Sequence, residues 1–205
     1  MQDWNDILKQ WCQHWLAVPS VTPDGGAGQD FIAEILEDLG FTVQRHKHAD
    51  VANLWAERDP TKPTFLFLGH SDVVPADPKE WQSDPFILTE REDTWFARGI
   101  ADMKGAVLAM LMAYRRILTE CPDFPLNLAM LLTGDEEGEA KHGTVEIVKL
   151  LAAKQRKMDY VLIGEPSSKT QVGDSMRIGR RGSLHVNLRI QGEAGHVAYP
   201  EKLKH

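Results

Sequence analysis

Apolar residues recur at helical spacing at Trp4, Ile7, Leu8, Trp11, Cys12, Trp15 and Leu16, which predicts an amphipathic helix that stops before Pro19. Phe31, Ile32, Ile35, Leu36 and Leu39 repeat the pattern, and Gly40 stands where a helix of that extent needs its C-cap. Short strand-like runs follow at residues 41–44 and 52–56. Residues 64–68 are apolar almost throughout, as expected of a strand covered on both faces. Across residues 71–96 no period holds, and Pro75, Pro78 and Pro85 break the chain; a connection of this length usually carries function. Met103, Val107, Met110, Leu111, Tyr114, Ile117 and Leu118 then restore the helical period, with Asp102 where an N-cap belongs. Residues 126–132 form another apolar run, Val145, Ile147, Val148 and Leu151 a helix, and residues 160–163 a further short strand.

Strands alternating with helices predict an α/β fold, a largely parallel twisted sheet flanked by helices. The texture changes near Gly173. Leu184, Val186, Leu188 and Ile190 alternate with His185, Asn187 and Arg189, the mark of a strand with one wet face. This divides the chain into a first domain over residues 1–177 and the start of a second, α+β domain over residues 178–205.

With 205 residues, 42% hydrophobic and 26% charged, the chain is expected to be globular. A formal charge of -7 argues against nucleic acid as a partner, which calls for a basic face. The N-terminus has early acids in place of a cationic leader, and no apolar run approaches the ~18 residues of a membrane span. Cys12 and Cys121 form neither a zinc pattern nor a disulfide framework, so a reducing, cytoplasmic setting is expected, with Cys12 a small core residue.

Chemistry enters at GHSDVVP, residues 69–75, which closes the strand at 64–68. Side chains two apart on an extended chain point the same way, so His70 and Asp72 meet just beyond the sheet. That suits a metal-binding imidazole steadied by an acid, and equally a loop histidine beside a turn aspartate. Asp102 opens a helix, where it caps or ligates. Asp135, Glu136 and Glu137 follow the strand ending at Leu132, and Glu165 the strand ending at Ile163. In parallel α/β sheets, sites form beyond the carboxyl ends of the strands, so these groups are expected at one rim. Carboxylates gathered in a cleft repel one another unless a cation neutralises them. One imidazole among oxygen ligands suits zinc, with cobalt or manganese as replacements. The carboxylates outnumber the needs of one tetrahedral ion, which points to two ions ~3.5–4 Å apart.

The segments GHSDVVP, ARGIADMKG (97–105), GDEEG (134–138) and IGEP (163–166), in this order, closely resemble the di-zinc metallopeptidase and deacylase family, peptidase family M20. The resemblance implies a zinc-exopeptidase-like catalytic domain into which an α+β lid and dimerisation domain is inserted. It makes His70 and Glu165 ligands of one zinc, Glu137 a ligand of the other, Asp102 the bridge between them, and Asp72 the group that orients His70. Glu136 becomes the general base. A cis peptide is implied after Asp102, and a homodimer in which His196 reaches the opposite subunit's site to stabilise the oxyanion. MRIGRRGS (176–183) and GHVAYP (195–200) resemble the desuccinylase branch. That branch hydrolyses N-succinyl-L,L-2,6-diaminopimelate, a small molecule with several carboxylates. Arg180, Arg181 and Ser183 are then substrate contacts, although arginines also serve as ordinary surface cations. Family members continue well past this length and carry a further histidine ligand for the second zinc. The chain is therefore expected to be an N-terminal portion, inactive alone.

Overall fold

The computed structural model describes residues 3–179 together with 182, 184, 186–189, 191 and 198. The chain forms two compact units, Met1–Pro166 and Ser167–His205. The first unit is built on a five-stranded sheet of order β1-β2-β6-β3-β7. Its strands are β1 (Thr42–His48), β2 (Val51–Glu57), β3 (Thr64–His70), β6 (Asn127–Thr133) and β7 (Tyr160–Ile163). The β6, β3 and β7 strands run parallel, β2 runs against β6, and β1 against β2, so only β2 is reversed within a largely parallel sheet.

Every residue of the central strand β6 is buried, and its alternation sorts the interior into two cores. Leu128, Met130 and Leu132, with Leu54 and Phe67, meet α1 (Trp4–Leu16), α2 (Gln29–Asp38) and α3 (Gly105–Glu120) on one face. Ala129 and Leu131, with Trp55 and Leu66, meet Ile147 and Leu151 of α4 (Thr144–Ala153) on the other. Asp3 caps α1 by accepting from the Asn5 N–H at 3.2 Å, and Cys12, Trp15 and Leu16 bury its apolar stripe. Gly40 closes α2 as expected: at φ 81° it lets its own N–H reach Glu37 O and that of Phe41 reach Leu36 O, satisfying two terminal carbonyls.

The structure departs from the sequence reading in three places. Strand β1 runs on to His48 through the polar Arg45-His46-Lys47, because antiparallel pairing with β2 satisfies its backbone whatever the side chains. The stretch 71–96 holds a small hairpin, β4 (Thr89–Arg91) and β5 (Thr94–Phe96), whose turn residues Glu92 and Asp93 both have positive φ without the glycine that normally signals such a turn. Asp102 is not an N-cap. Helix α3 starts at Gly105 after an irregular turn, Ile100–Lys104, and Asp102 within it is extended, at φ −128° and ψ 97°. The Asp102–Met103 peptide is cis, as the resemblance implies.

In the second unit, the Asp174 carboxylate accepts N–H bonds from Lys169, Thr170 and Gln171, which hold its pKa well below the ordinary carboxylate range. Leu184 and residues 186–189 are described and lie in no strand. His185 and Ile190 fall outside the described residues. So do Arg180, Arg181, Ser183 and His196.

Candidate metal centre

Two parallel neighbours, β3 and β6, end level, with His70 opposite Thr133. His70 therefore stands at the rim beside the turn that begins at Gly134. Asp102 comes from the irregular turn before α3, and Glu165 from the residues after β7. The His70 Nε2 atom lies 3.1 Å from Asp102 Oδ1, 3.7 Å from Glu165 Oε1 and 4.0 Å from Glu136 Oε2. Among the described residues, two trios of ligand-type side chains have donor atoms within 4.8 Å of one another: His70, Asp102 and Glu137, and His70, Glu136 and Glu165. Five of the six side chains expected at the rim are thus brought together, and Asp135 is the exception.

The other ring nitrogen explains why Nε2 faces this group. His70 Nδ1 lies 2.9 Å from the backbone oxygen of Asp72, which can only accept, so Nδ1 carries the proton and donates. Nε2 then faces the carboxylates, where it donates to Asp102 Oδ1 when it carries a proton and would offer its lone pair to a metal when it does not. The ring is 1% exposed, whereas the Asp102 side chain is 50% exposed, so the donors face an accessible rim.

Asp72 does more than sit beside the imidazole. Its carboxylate is 3.6 Å from Nδ1, but its oxygens accept the backbone N–H groups of Glu136 at 3.2 Å and Glu137 at 2.9 Å. Fully buried, it pins the turn that presents both glutamates. Asp135 faces away from the cluster; it is buried and accepts the N–H groups of Lys141 and His142, closing its own loop. Lys104, absent from the sequence reading, is 1% exposed and donates to the carbonyls of Trp15 and Val18 at 3.2 and 3.0 Å. A cation falling on the buried stripe of α3, one turn before Val107 and Leu108, is the sequence signal that marks it.

Electrostatics set the charge that suits the cluster. Burial raises the Glu137 pKa, and the negative charge of Asp102 adds to it. Burial and Asp102 likewise raise Glu165. Burial alone would lower His70; its bond to the Asp72 carbonyl and the carboxylates of Asp72, Glu136 and Glu165 outweigh that and raise it. Burial first and neighbouring negative charge second disfavour the ionised Glu137 and Glu165, while the carboxylates favour a charged His70; a divalent cation is the complement of such a part-buried cluster. A neutral imidazole nitrogen with several carboxylate oxygens fits such an ion.

Known proteins resemble this chain in sequence and in fold. Residues 66–201 match the model of peptidase family M20/M25/M40. A succinyl-diaminopimelate desuccinylase of Thiobacillus denitrificans is 49% identical over 186 residues, 90% of this chain and 47% of the relative. One from Stenotrophomonas maltophilia is 46% identical over 190 residues, 92% of this chain and 51% of the relative. The chain thus spans about half the length of the curated relatives it matches. Among solved structures, human carnosine dipeptidase 1 superposes with a TM-score of 0.67 at 28% identity, covering 77% of this chain and 38% of that one. The M20 family metallo-carboxypeptidase Sso-CP2 of Sulfolobus solfataricus does so with a TM-score of 0.68 at 27% identity, covering 80% and 37%. With its rim of imidazole and carboxylates at the strand ends and a family model matched over most of its length, the chain belongs to peptidase family M20/M25/M40.

Proposed function

We infer that the whole protein is a zinc-dependent amidohydrolase that cleaves N-succinyl-L,L-2,6-diaminopimelate to succinate and L,L-diaminopimelate, a step of lysine biosynthesis. The observation that carries this reading is the gathering of the Asp102, Glu136, Glu137 and Glu165 carboxylates with one buried histidine whose Nδ1 is held by the Asp72 carbonyl. The desuccinylases at 45–49% identity support the substrate.

In this reading His70, Asp102 and Glu165 would hold one zinc ion, and Asp102 with Glu137 would hold the other, one of them replaceable by cobalt or manganese. When bound, such ions acidify a water and polarise the scissile carbonyl. Asp72 fixes the His70 tautomer through its carbonyl and the glutamate turn through its carboxylate. Glu136, with a side chain 47% exposed, receives the proton of the attacking water on a carboxylate oxygen. As the C–N bond breaks, it passes that proton to the departing amine. Arg180, Arg181 and Ser183 bind the substrate carboxylates. His196 stabilises the oxyanion from the opposite subunit of a homodimer. The enzyme is cytoplasmic and has neither a nucleic acid nor a membrane as partner; no helix among the described residues is long and apolar enough to cross one.

Assaying the whole protein with N-succinyl-L,L-diaminopimelate, N-acetylornithine and dipeptides tests the assignment. Desuccinylation dependent on added zinc is expected, whereas preference for acetylornithine or a dipeptide rejects it. Glu136→Ala should lower kcat by roughly 10²–10⁴-fold.

A further inference from the structure

The segment from Ser20 to Gln29 lies directly beneath the rim. Val21 bridges Val73 in parallel, with Thr22 N–H donating to Val73 O at 3.0 Å and Val73 N–H to Ser20 O at 2.9 Å. Ser20 Oγ donates to Ser71 O, Ser71 Oγ to Gly25 O, and Gln29 Nε2 to Ser71 Oγ at 2.8 Å. Residues 20–29 are thus laced to Ser71 and Val73, the residues on either side of Asp72.

The same segment touches the acid turn. A Cβ on Gly25 would lie 2.6 Å from Gly134 Cα and 2.5 Å from Asp72 Cβ, and closer still to the Gly134 carbonyl oxygen. These are backbone atoms and the root of a buried side chain, which cannot swing aside. A Cβ on Gly134 would meet Gly25 C at 2.9 Å, so the two backbones are in mutual contact. A little further on, a Cβ on Gly138 would meet Thr22 Oγ1 at 2.6 Å. The segment is seated against both banks of the site, the His70–Asp72 loop and the turn of Glu136 and Glu137.

We propose that Gly25 is a positioning residue for the metal centre: its missing side chain lets residues 20–25 close beneath Asp72 and Gly134 and sets the gap between His70 and the Glu136–Glu137 turn. Any side chain at position 25 wedges Asp72 away from Gly134. The wedge lengthens the paired N–H contacts by which Asp72 holds the two glutamates, while His70 keeps its bond to the Asp72 backbone. The inference rests on the metal-site reading.

The test is a cobalt(II) titration of the chain, followed by the visible absorption of the bound ion and by competition with a chelator. Gly25→Ala should weaken binding at least tenfold and change the absorption envelope. Ser20→Ala, which loosens the same segment without a clash, should weaken it about threefold and so provides the answer should Gly25→Ala fail to fold. Wild-type affinity and spectrum in a folded Gly25→Ala chain, or in Ser20→Ala where the first variant does not fold, overturn the proposal. A role confined to folding would lower the unfolding temperature of the metal-free chain yet leave cobalt affinity intact, and that outcome also overturns it. A wild-type chain that binds no cobalt defeats the metal-site reading itself, and this inference with it.

Discussion

At the scale of the residue, the division of labour within Asp72 governs the rim. Its carbonyl selects the tautomer of His70 and its carboxylate fastens the glutamate turn. Asp72→Asn separates the two tasks. An amide accepts one of the two N–H bonds through its oxygen and presents a donor to the other, while the backbone carbonyl is untouched. Metal affinity should fall about 10–100-fold, as for other groups that support ligands, with the His70 tautomer unchanged. Isothermal titration with zinc measures the first and ¹⁵N NMR of the imidazole the second. The sequence placed His70 and Asp72 together through period-2 geometry, and the acids that follow strand ends marked their partners. It could not show which part of Asp72 touches the ring, since backbone and side-chain acceptors of one residue are indistinguishable in a string of letters.

At the scale of the element, the turn Ile100–Lys104 joins the site to the packing of α1. Lys104 reaches the carbonyls at the end of that helix and lies 5.2 Å from the Trp15 ring. Burial lowers its pKa to about 8. The folded value lies below the unfolded one of ~10.4, so between those limits the unfolded chain binds more protons, and stability rises with pH across that window. The expected gain is on the order of 3 kcal/mol. Lys104→Met should abolish it, as chemical denaturation of the metal-free chain at pH 7.5 and 10 would register. Helices with a clean apolar stripe were legible from period, and the buried strands from their continuous apolar runs. The β4–β5 hairpin was not, because its turn lacks the glycine that advertises a positive φ. The false N-cap at Asp102 arose because a helix start and an irregular turn before one share the same letters.

At the scale of the molecule, the metal centre joins parts of the chain that are remote in sequence, and an ion held by all of them binds only the folded form. At a hundredfold excess over its dissociation constant such an ion adds ~2.7 kcal/mol. For a chain of this length that corresponds to roughly 5–10 °C in unfolding temperature. Calorimetry with zinc and then with EDTA should show the gain and its reversal; equal unfolding temperatures in both would contradict a shared ion. The level ending of β3 and β6 carries a larger consequence. Slipping one strand past the other by a single residue would displace the glutamates by ~3.3 Å and turn Leu128, Met130 and Leu132 towards the wrong core. The apolar interior is therefore the gauge that spaces the charges above it. A change of bulk at Met130, buried three residues before the strand end, is expected to loosen that spacing and with it the hold on a metal ion.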